Sequence, residues 1–202
     1  MERPRKSHTL PDVLSPGEVK RLIEVVSNLK HRTLLILIYS CSLRIGEALS
    51  LTINDIHSDE GLIYLRSGKG KKDRRVPRSP LMLEQLRMYY HSYLPKKYLF
   101  EGQAGGKYSR NSASTFLKRA VKKVEITKRV TLHTLRHSYA THITQRRVGL
   151  RYVQEILGHN SPHVSKTNKN DMVRFTHVTI KYKPIRPGTR FDRSKFVQGS
   201  GI

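Results

Sequence analysis

The chain has 202 residues, and its 39 lysines and arginines against 15 aspartates and glutamates give a formal net charge of +24. So large a basic excess is typical of proteins that bind a polyanion by counterion release, and nucleic acid is the first partner to consider. A membrane surface is the second, but no long basic amphipathic helix with an aromatic face is evident. The single cysteine, Cys41, argues against a disulfide framework and a cysteine-based zinc site, and its apolar surroundings are too short to span a bilayer.

Helical patterns dominate the first third of the chain. Residues 1–12 are polar and basic and indicate a leader or linker, with no apolar signal segment. Ser15, followed by Pro16 and by Glu18 three residues on, predicts a capped helix start. The apolar run at 31–39 predicts a central helix. The stretch "SLRIGEALSL", residues 42–51, predicts another, half-buried helix.

The middle of the chain predicts one small sheet. Residues 63–65 and 75–77 have strand character, and the Gly- and Lys-rich turn between them predicts a β-hairpin. Three helical stretches follow, "LMLEQLRMYYHSYL", "RNSASTFLKRAVKKV" and "TLHTLRHSYATHITQR", and then a short helix that ends at Gly158. The predicted class is mainly α with a small antiparallel β-sheet (α+β), formed by one domain over residues 13–165. Residues 166–202 are predicted to be an atypical basic tail, interrupted by prolines.

The segment "TLHTLRHSYATH", residues 131–142, places His133 and Arg136 on one helix face, with His137 four residues beyond the first histidine. One interpretation is a solvated helix surface, and another is a phosphate-binding site. A zinc site is a third, but the metalloprotease pattern needs a glutamate where Thr134 stands, and no third ligand is evident.

Three further motifs carry candidate chemistry. Arg44 and Glu47 are three residues apart on a predicted helix. One interpretation is an i,i+3 ion pair. The other is a largely buried arginine that a carboxylate orients and directs into a site. Lys69, in "GKGKKDRRVP", belongs either to a solvated turn or to a hairpin that delivers a proton to a leaving oxygen. This stretch lacks the helix-opening Gly-Lys-Ser/Thr of a P-loop. His159, in "LGHNS", has little meaning alone.

In combination, these motifs from Leu14 to Ser161 resemble the tyrosine recombinase (phage integrase) family, and specifically its Xer-like catalytic domain. The resemblance implies the fold of that domain and a site-specific DNA strand cleavage and rejoining through a 3′-phosphotyrosine. It implies no cofactor and no metal. It also implies double-stranded DNA as partner, a homo-oligomer on DNA (a tetramer), and a cytoplasmic, nucleoid-associated protein of a prokaryote, phage or mobile element. The family's N-terminal core-binding domain is expected to be absent.

The resemblance also implies roles for individual residues. Arg44 and Arg136 are expected to hold the non-bridging oxygens of the scissile phosphate, with Glu47 orienting the first of them. Lys69 is expected to be the general acid for the 5′ hydroxyl, and His133 and His159 to bond the phosphate or handle the nucleophile's proton. Further expected DNA contacts are Lys71, Lys72, Arg74, Arg110, Lys118 and Arg119.

The sequence departs from the family at the nucleophile. The tyrosine is expected in a Tyr-Thr-His-Val context, but the chain reads "RFTHV", with Phe175 in its place. Phenylalanine has no oxygen and cannot attack phosphorus. Three interpretations remain open: a deliberate substitution, a naturally decayed enzyme, or a nucleophile displaced to Tyr182.

Two functions from different classes therefore compete. One is a recombinase catalytic domain that lacks its nucleophile, and the other is a non-catalytic DNA-binding or regulatory protein derived from a recombinase. A ribosomal-type basic RNA binder accounts for the charge but not for the motifs.

Overall fold

The computed structural model describes residues 12–66 and 73–145 of the chain. The helices and strands follow in the order α1 (Pro16–Glu24), α2 (Leu29–Ser40), α3 (Ile45–Ser50), β1 (Ile56–His57), β2 (Leu62–Leu65), β3 (Arg74–Pro77), α4 (Pro80–Tyr93), α5 (Arg110–Lys123) and α6 (Leu132–Gln145). The predicted class, mainly α with a small antiparallel sheet, is confirmed.

Helix α2 lies at the centre of the fold. It is buried at every position from Arg32 to Tyr39, and α1, α3, α4 and α6 pack against it. A helix that is apolar all round needs such enclosure, as its sequence predicted. Two buried polar pairs join α2 to its neighbours: Gln85 Nε2 donates to Thr33 Oγ1 at 2.8 Å, and Tyr39 Oη lies 2.9 Å from His142 Nδ1. Among the described helices, none is long and apolar enough to cross a membrane.

The three strands form one antiparallel sheet in the order β1-β2-β3. Ile63 lies opposite Ile56 on one side and Val76 on the other. The predicted hairpin is therefore present as β2 and β3, whereas β1 was not predicted because two residues are too few to show an alternating pattern. The turn residues 67–72 lie outside the described part of the chain.

The structure corrects the placement of Arg44. The sequence pattern put this residue inside a helix and suggested a largely buried side chain, but α3 begins one residue later and the Arg44 side chain is 43% exposed. The chain leaves α2 through a tight turn in which Ser42 has a φ of 49°. Arg44 then takes the extended conformation of a helix N-cap, and its N–H donates to Glu47 Oε2 at 2.7 Å. This position points the guanidinium outward from the core.

Candidate functional site

Three arginines from three separate elements meet at the carboxylate of Glu47 on α3. Arg44 Nη1 lies 2.9 Å from Glu47 Oε1, while Arg74 Nη2 of β3 lies 2.7 Å and Arg136 Nη1 of α6 lies 3.5 Å from Oε2. These four residues are called the arginine cluster below. The predicted i,i+3 pair of Arg44 and Glu47 is present, and it is one contact of a larger network.

Burial within the cluster increases towards α6. The side chains of Glu47 and Arg74 are 18% and 12% exposed, and that of Arg136 is 5% exposed. Burying charges is costly unless they are paired, so the shared carboxylate is what allows the two inner guanidiniums to lie side by side. Three cations and one anion leave an excess of positive charge, and such a site favours binding of an anion.

The pKa values of the cluster reflect this crowding. Burial opposes ionisation of Glu47, but the Arg44 N–H and the guanidiniums of Arg74 and Arg44 outweigh it and lower the pKa of the carboxyl. Burial, followed by repulsion from Arg44 and Arg74, lowers the pKa of Arg136 to about 10. Both groups are charged at neutral pH. An approaching anion would relieve the repulsion among the arginines.

Helix α6 presents both Arg136 and His133 to this region. Thr131 caps the helix, since Thr134 N donates to Thr131 Oγ1 and Thr131 N donates to Thr134 Oγ1, each at 3.1 Å. The His133 side chain is exposed, and partial desolvation together with the charges of Arg136, His137 and Arg44 lowers its pKa. The imidazole is therefore predominantly neutral at pH 7, when one ring nitrogen can donate a hydrogen bond and the other can accept one.

Arg74 is the site residue whose place in the cluster the sequence reasoning missed. It was predicted only as a DNA contact beside Lys71 and Lys72, but its side chain is held against Glu47. The alternation of side chains along a strand could have predicted the inward position of Arg74, because Arg74 shares a face of β3 with the buried Val76. Arg75 faces the other way and lies over the Tyr64 ring.

The predicted DNA contacts on α5 do not share one face. Arg110, at the start of the helix, reaches α3: a β-carbon at Gly46 would lie 2.5 Å from Nη2 of Arg110. Arg119 is nine residues further on, about half a turn round the helix from Arg110. Both side chains and that of Lys118 are exposed. Lys69, Lys71, Lys72, His159, Phe175 and Tyr182 lie outside the described residues.

Comparison with known proteins gives a consistent pattern. Residues 12–170 match the model of the phage integrase family. The chain is 33% identical over 186 residues to the tyrosine recombinase XerA of Pyrococcus horikoshii, with 90% of this chain and 62% of the relative covered. It is 36% identical over 196 residues to the tyrosine recombinase XerD of Oceanobacillus iheyensis, with 88% and 66% covered. The chain thus spans somewhat less than two thirds of the length of these relatives.

Solved structures show the same likeness. A crystal structure of XerA recombinase superposes with a TM-score of 0.71 at 31% identity, covering 89% of this chain and 63% of that one. XerH recombinase bound to its palindromic difH substrate, in a post-cleavage complex, superposes with a TM-score of 0.69 at 26% identity. That match covers 88% of this chain and 52% of the XerH chain.

Proposed function

Because the chain belongs to the phage integrase family of tyrosine recombinases, we propose that its arginine cluster binds the scissile phosphate of double-stranded DNA in a site-specific recombination site. The observation that carries this proposal is the convergence of Arg44, Arg74 and Arg136 on the single carboxylate of Glu47. The excess of guanidinium charge suits a phosphodiester, whose non-bridging oxygens accept hydrogen bonds from such groups.

The arrangement suits transition-state stabilisation of phosphoryl transfer. That reaction depends on positioning and on compensation of charge at the phosphoryl oxygens, and preorganised cations supply both. A guanidinium has five N–H donors, so an arginine that bonds Glu47 can also donate to a phosphate. In the proposal Arg44 and Arg136 hold the non-bridging oxygens, Glu47 fixes their orientation, and His133 donates a hydrogen bond to the phosphate.

Lys69 and His159 complete the proposed machinery from outside the described residues. In the family reaction a tyrosine oxygen attacks phosphorus, the bond from phosphorus to the 5′ oxygen breaks, and that oxygen takes a proton. Lys69 is proposed as the donor of this proton, since neighbouring cations lower the pKa of a lysine. His159 is proposed to bond the phosphate or accept the nucleophile's proton.

Phe175 is proposed to occupy the nucleophile position and to make the chain as given unable to form the phosphotyrosyl bond. A ring without a hydroxyl offers no atom for attack. This residue also supports the second candidate function, a non-catalytic DNA-binding or regulatory protein derived from a recombinase. Tyr182 is the alternative nucleophile under the first function.

The proposed partners follow from the same comparison. XerH was solved bound to a DNA substrate, and the net charge of +24 supports duplex DNA as the ligand of this chain. A homo-oligomer on DNA, a tetramer by family resemblance, is proposed as the assembly.

Covalent capture tests the proposal. The chain as given, its Phe175→Tyr variant and a Phe175→Tyr/Arg136→Ala variant are incubated with a nicked suicide duplex, and covalent protein–DNA complexes are sought on a denaturing gel. A band with Phe175→Tyr alone is expected, because only that variant has both the nucleophile and the phosphate site.

The other outcomes are also decisive. A band with the chain as given would identify Tyr182 as the nucleophile and contradict the role of Phe175. No band with any variant, together with retained duplex binding on a native gel, would favour the non-catalytic function.

A further inference from the structure

A buried polar contact joins α2, which leads to Arg44, with α6, which carries Arg136. Tyr39 Oη lies 2.9 Å from His142 Nδ1, and the two residues are 2% and 5% exposed. The Tyr39 ring also meets the Tyr139 ring of α6 edge-on, with 5.4 Å between the ring centres. Polar groups are costly to bury unless they are hydrogen-bonded. The contact therefore constrains how α2 and α6 pack.

Apolar side chains surround this contact along the chain. Residues 34–38 of α2 are apolar and buried, and Leu135 and Ile143 are buried on α6. Apolar contacts are non-directional, whereas a hydrogen bond requires a particular distance and angle. A shift of α6 along α2 would therefore break the bond between Tyr39 and His142 and leave buried polar atoms less well bonded, at a cost in free energy.

Tyr39 lies next to the turn that places Arg44. Its carbonyl oxygen accepts a hydrogen bond from Ser42 N at 3.2 Å, and Leu43 N donates to Ile38 O at 3.1 Å. Arg44 follows directly, as the N-cap residue of α3. Because these backbone bonds tie the turn to the last residues of α2, a displacement of Tyr39 is expected to move Arg44 with it.

The contact of Arg136 with Glu47 is sensitive to such a displacement. At 3.5 Å it is the longest of the three ion pairs of the arginine cluster, against 2.9 Å for Arg44 and 2.7 Å for Arg74. Hydrogen bonds from N–H to oxygen are mostly about 2.7–3.2 Å long. A small outward shift of α6 would therefore separate Arg136 from the shared carboxylate, and the convergence of Arg44 and Arg136 would be lost.

We propose that Tyr39 and His142 are positioning residues for the arginine cluster. Their bond fixes α6 against the end of α2, and it thereby holds Arg136 at the distance from Arg44 at which both can bond one phosphate. The inference rests on the proposed function for the identity of that phosphate, which belongs to the DNA. The relative position of the two arginines is a property of the free protein.

His133 reports on this position in the free protein. Partial burial and the charges of Arg136, His137 and Arg44 lower the pKa of its imidazole. Of these three cations only Arg44 lies outside α6, so a separation of α6 from Arg44 raises the pKa of His133 towards its ordinary value of about 6.5. An NMR titration measures this pKa on folded molecules, so a loss of stability alone does not change it. The His133 signal is identified by its loss in His133→Gln.

Two matched comparisons test the pair. Tyr39→Phe removes only a hydroxyl, and its control is Tyr89→Phe, which removes a hydroxyl from an equally buried tyrosine of α4. His142→Leu removes the polar ring, and its control is His142→Asn, whose amide places a polar atom near the position of Nδ1. Both histidine variants lose the remaining ring contacts alike. We expect a higher pKa of His133 in Tyr39→Phe and His142→Leu, and an unchanged pKa in the two controls.

A double-mutant cycle in the affinity for a short generic DNA duplex tests the consequence for binding. We expect Tyr39→Phe to weaken binding in the chain as given, by less than Arg136→Ala does. In the Arg136→Ala background it should have little further effect, because both substitutions then act on the same contact. Fully additive losses would show that Tyr39 acts elsewhere and would overturn the proposal.

Failure of the positioning role differs from failure of the proposed function. If the pKa of His133 is the same in Tyr39→Phe, in Tyr89→Phe and in the chain as given, the positioning role is wrong. An equal rise in both tyrosine variants would show a general loosening of the core and would also overturn it. If the pKa rises only when the pair is lost, while Arg136→Ala leaves duplex affinity unchanged, the positioning role stands and the phosphate-binding role of the cluster is wrong.

Discussion

Glu47 determines the geometry of the site at the scale of single residues. Its two oxygens are shared among Arg44, Arg74 and Arg136, and the contact with Arg74 is the shortest of the three ion pairs. Arg74 thus holds the carboxylate from the sheet side, while Arg136 approaches from α6. A change at Arg74 is expected to act on the other two arginines through Glu47.

Arg74→Ala, compared with Arg75→Ala, tests this dependence. Arg74→Ala removes a largely buried charge-assisted hydrogen bond, so we expect the free energy of unfolding to fall by about 2 kcal/mol. Affinity for duplex DNA should fall with it. Arg75→Ala removes an exposed contact over the Tyr64 ring and should cost less than about 1 kcal/mol. Urea unfolding and DNA titration measure both effects, and equal effects of the two substitutions would contradict a special role of Arg74.

At the scale of elements, the turn between α2 and α3 sets the position of Arg44. Ser42 adopts a φ of 49°, in the left-handed region, and is fully buried. Its Oγ has no hydrogen-bond partner among the described residues. A non-glycine residue in this conformation carries a steric cost of roughly 1–2 kcal/mol, and the buried hydroxyl adds a desolvation cost. The turn is maintained because α2 and α3 pack on both sides of it.

Ser42→Gly is expected to stabilise the protein. Glycine removes the steric and desolvation costs, against about 0.5–1 kcal/mol of extra backbone entropy lost on folding, so we expect a net gain on the order of 1 kcal/mol. Ser42→Ala is the control, because it removes the hydroxyl but keeps the left-handed cost. Thermal melting measures the two variants, and a lower melting temperature for glycine than for alanine would show that the turn is unstrained.

At the scale of the whole molecule, the net charge of +24 acts in two opposite ways. Within the free protein, the positive groups repel one another and weaken the compact state. Towards DNA, the same groups release condensed counterions and strengthen binding. Both effects are screened by salt, but they change stability and affinity in opposite directions.

Raising the salt concentration from about 50 to 200 mM is therefore expected to have two outcomes. The melting temperature of the free chain should rise, because self-repulsion is screened. Affinity for a DNA duplex should fall by orders of magnitude if several phosphates are contacted. Differential scanning calorimetry and a binding titration on one preparation measure the two outcomes. An affinity that does not change with salt would contradict the inference, drawn from the net charge, that the chain binds DNA through several phosphates.

Local sequence features predicted much of the fold. The capped start of α1 is confirmed, with Ser15 Oγ accepting from Glu18 N and Glu18 Oε2 accepting from Ser15 N. The apolar run of α2 predicted its central place, and the hairpin of β2 and β3 is present. These features could be predicted because caps, periodicity and turns depend on residues only a few positions apart.

The sequence by itself determined the basic charge, the helical class, the family motifs with Arg44, Glu47, His133 and Arg136, and the presence of Phe175 at the expected tyrosine position. Only the tertiary structure decided that Arg136 is buried while Arg44 is exposed, that Arg74 joins them at Glu47, and that Arg110 lies against Gly46. The physical reason is distance along the chain. Residues 44, 74 and 136 meet at Glu47, and Arg110 reaches Gly46, only through the packing of α3, β3, α5 and α6. Burial at such a meeting point depends on every element that surrounds it.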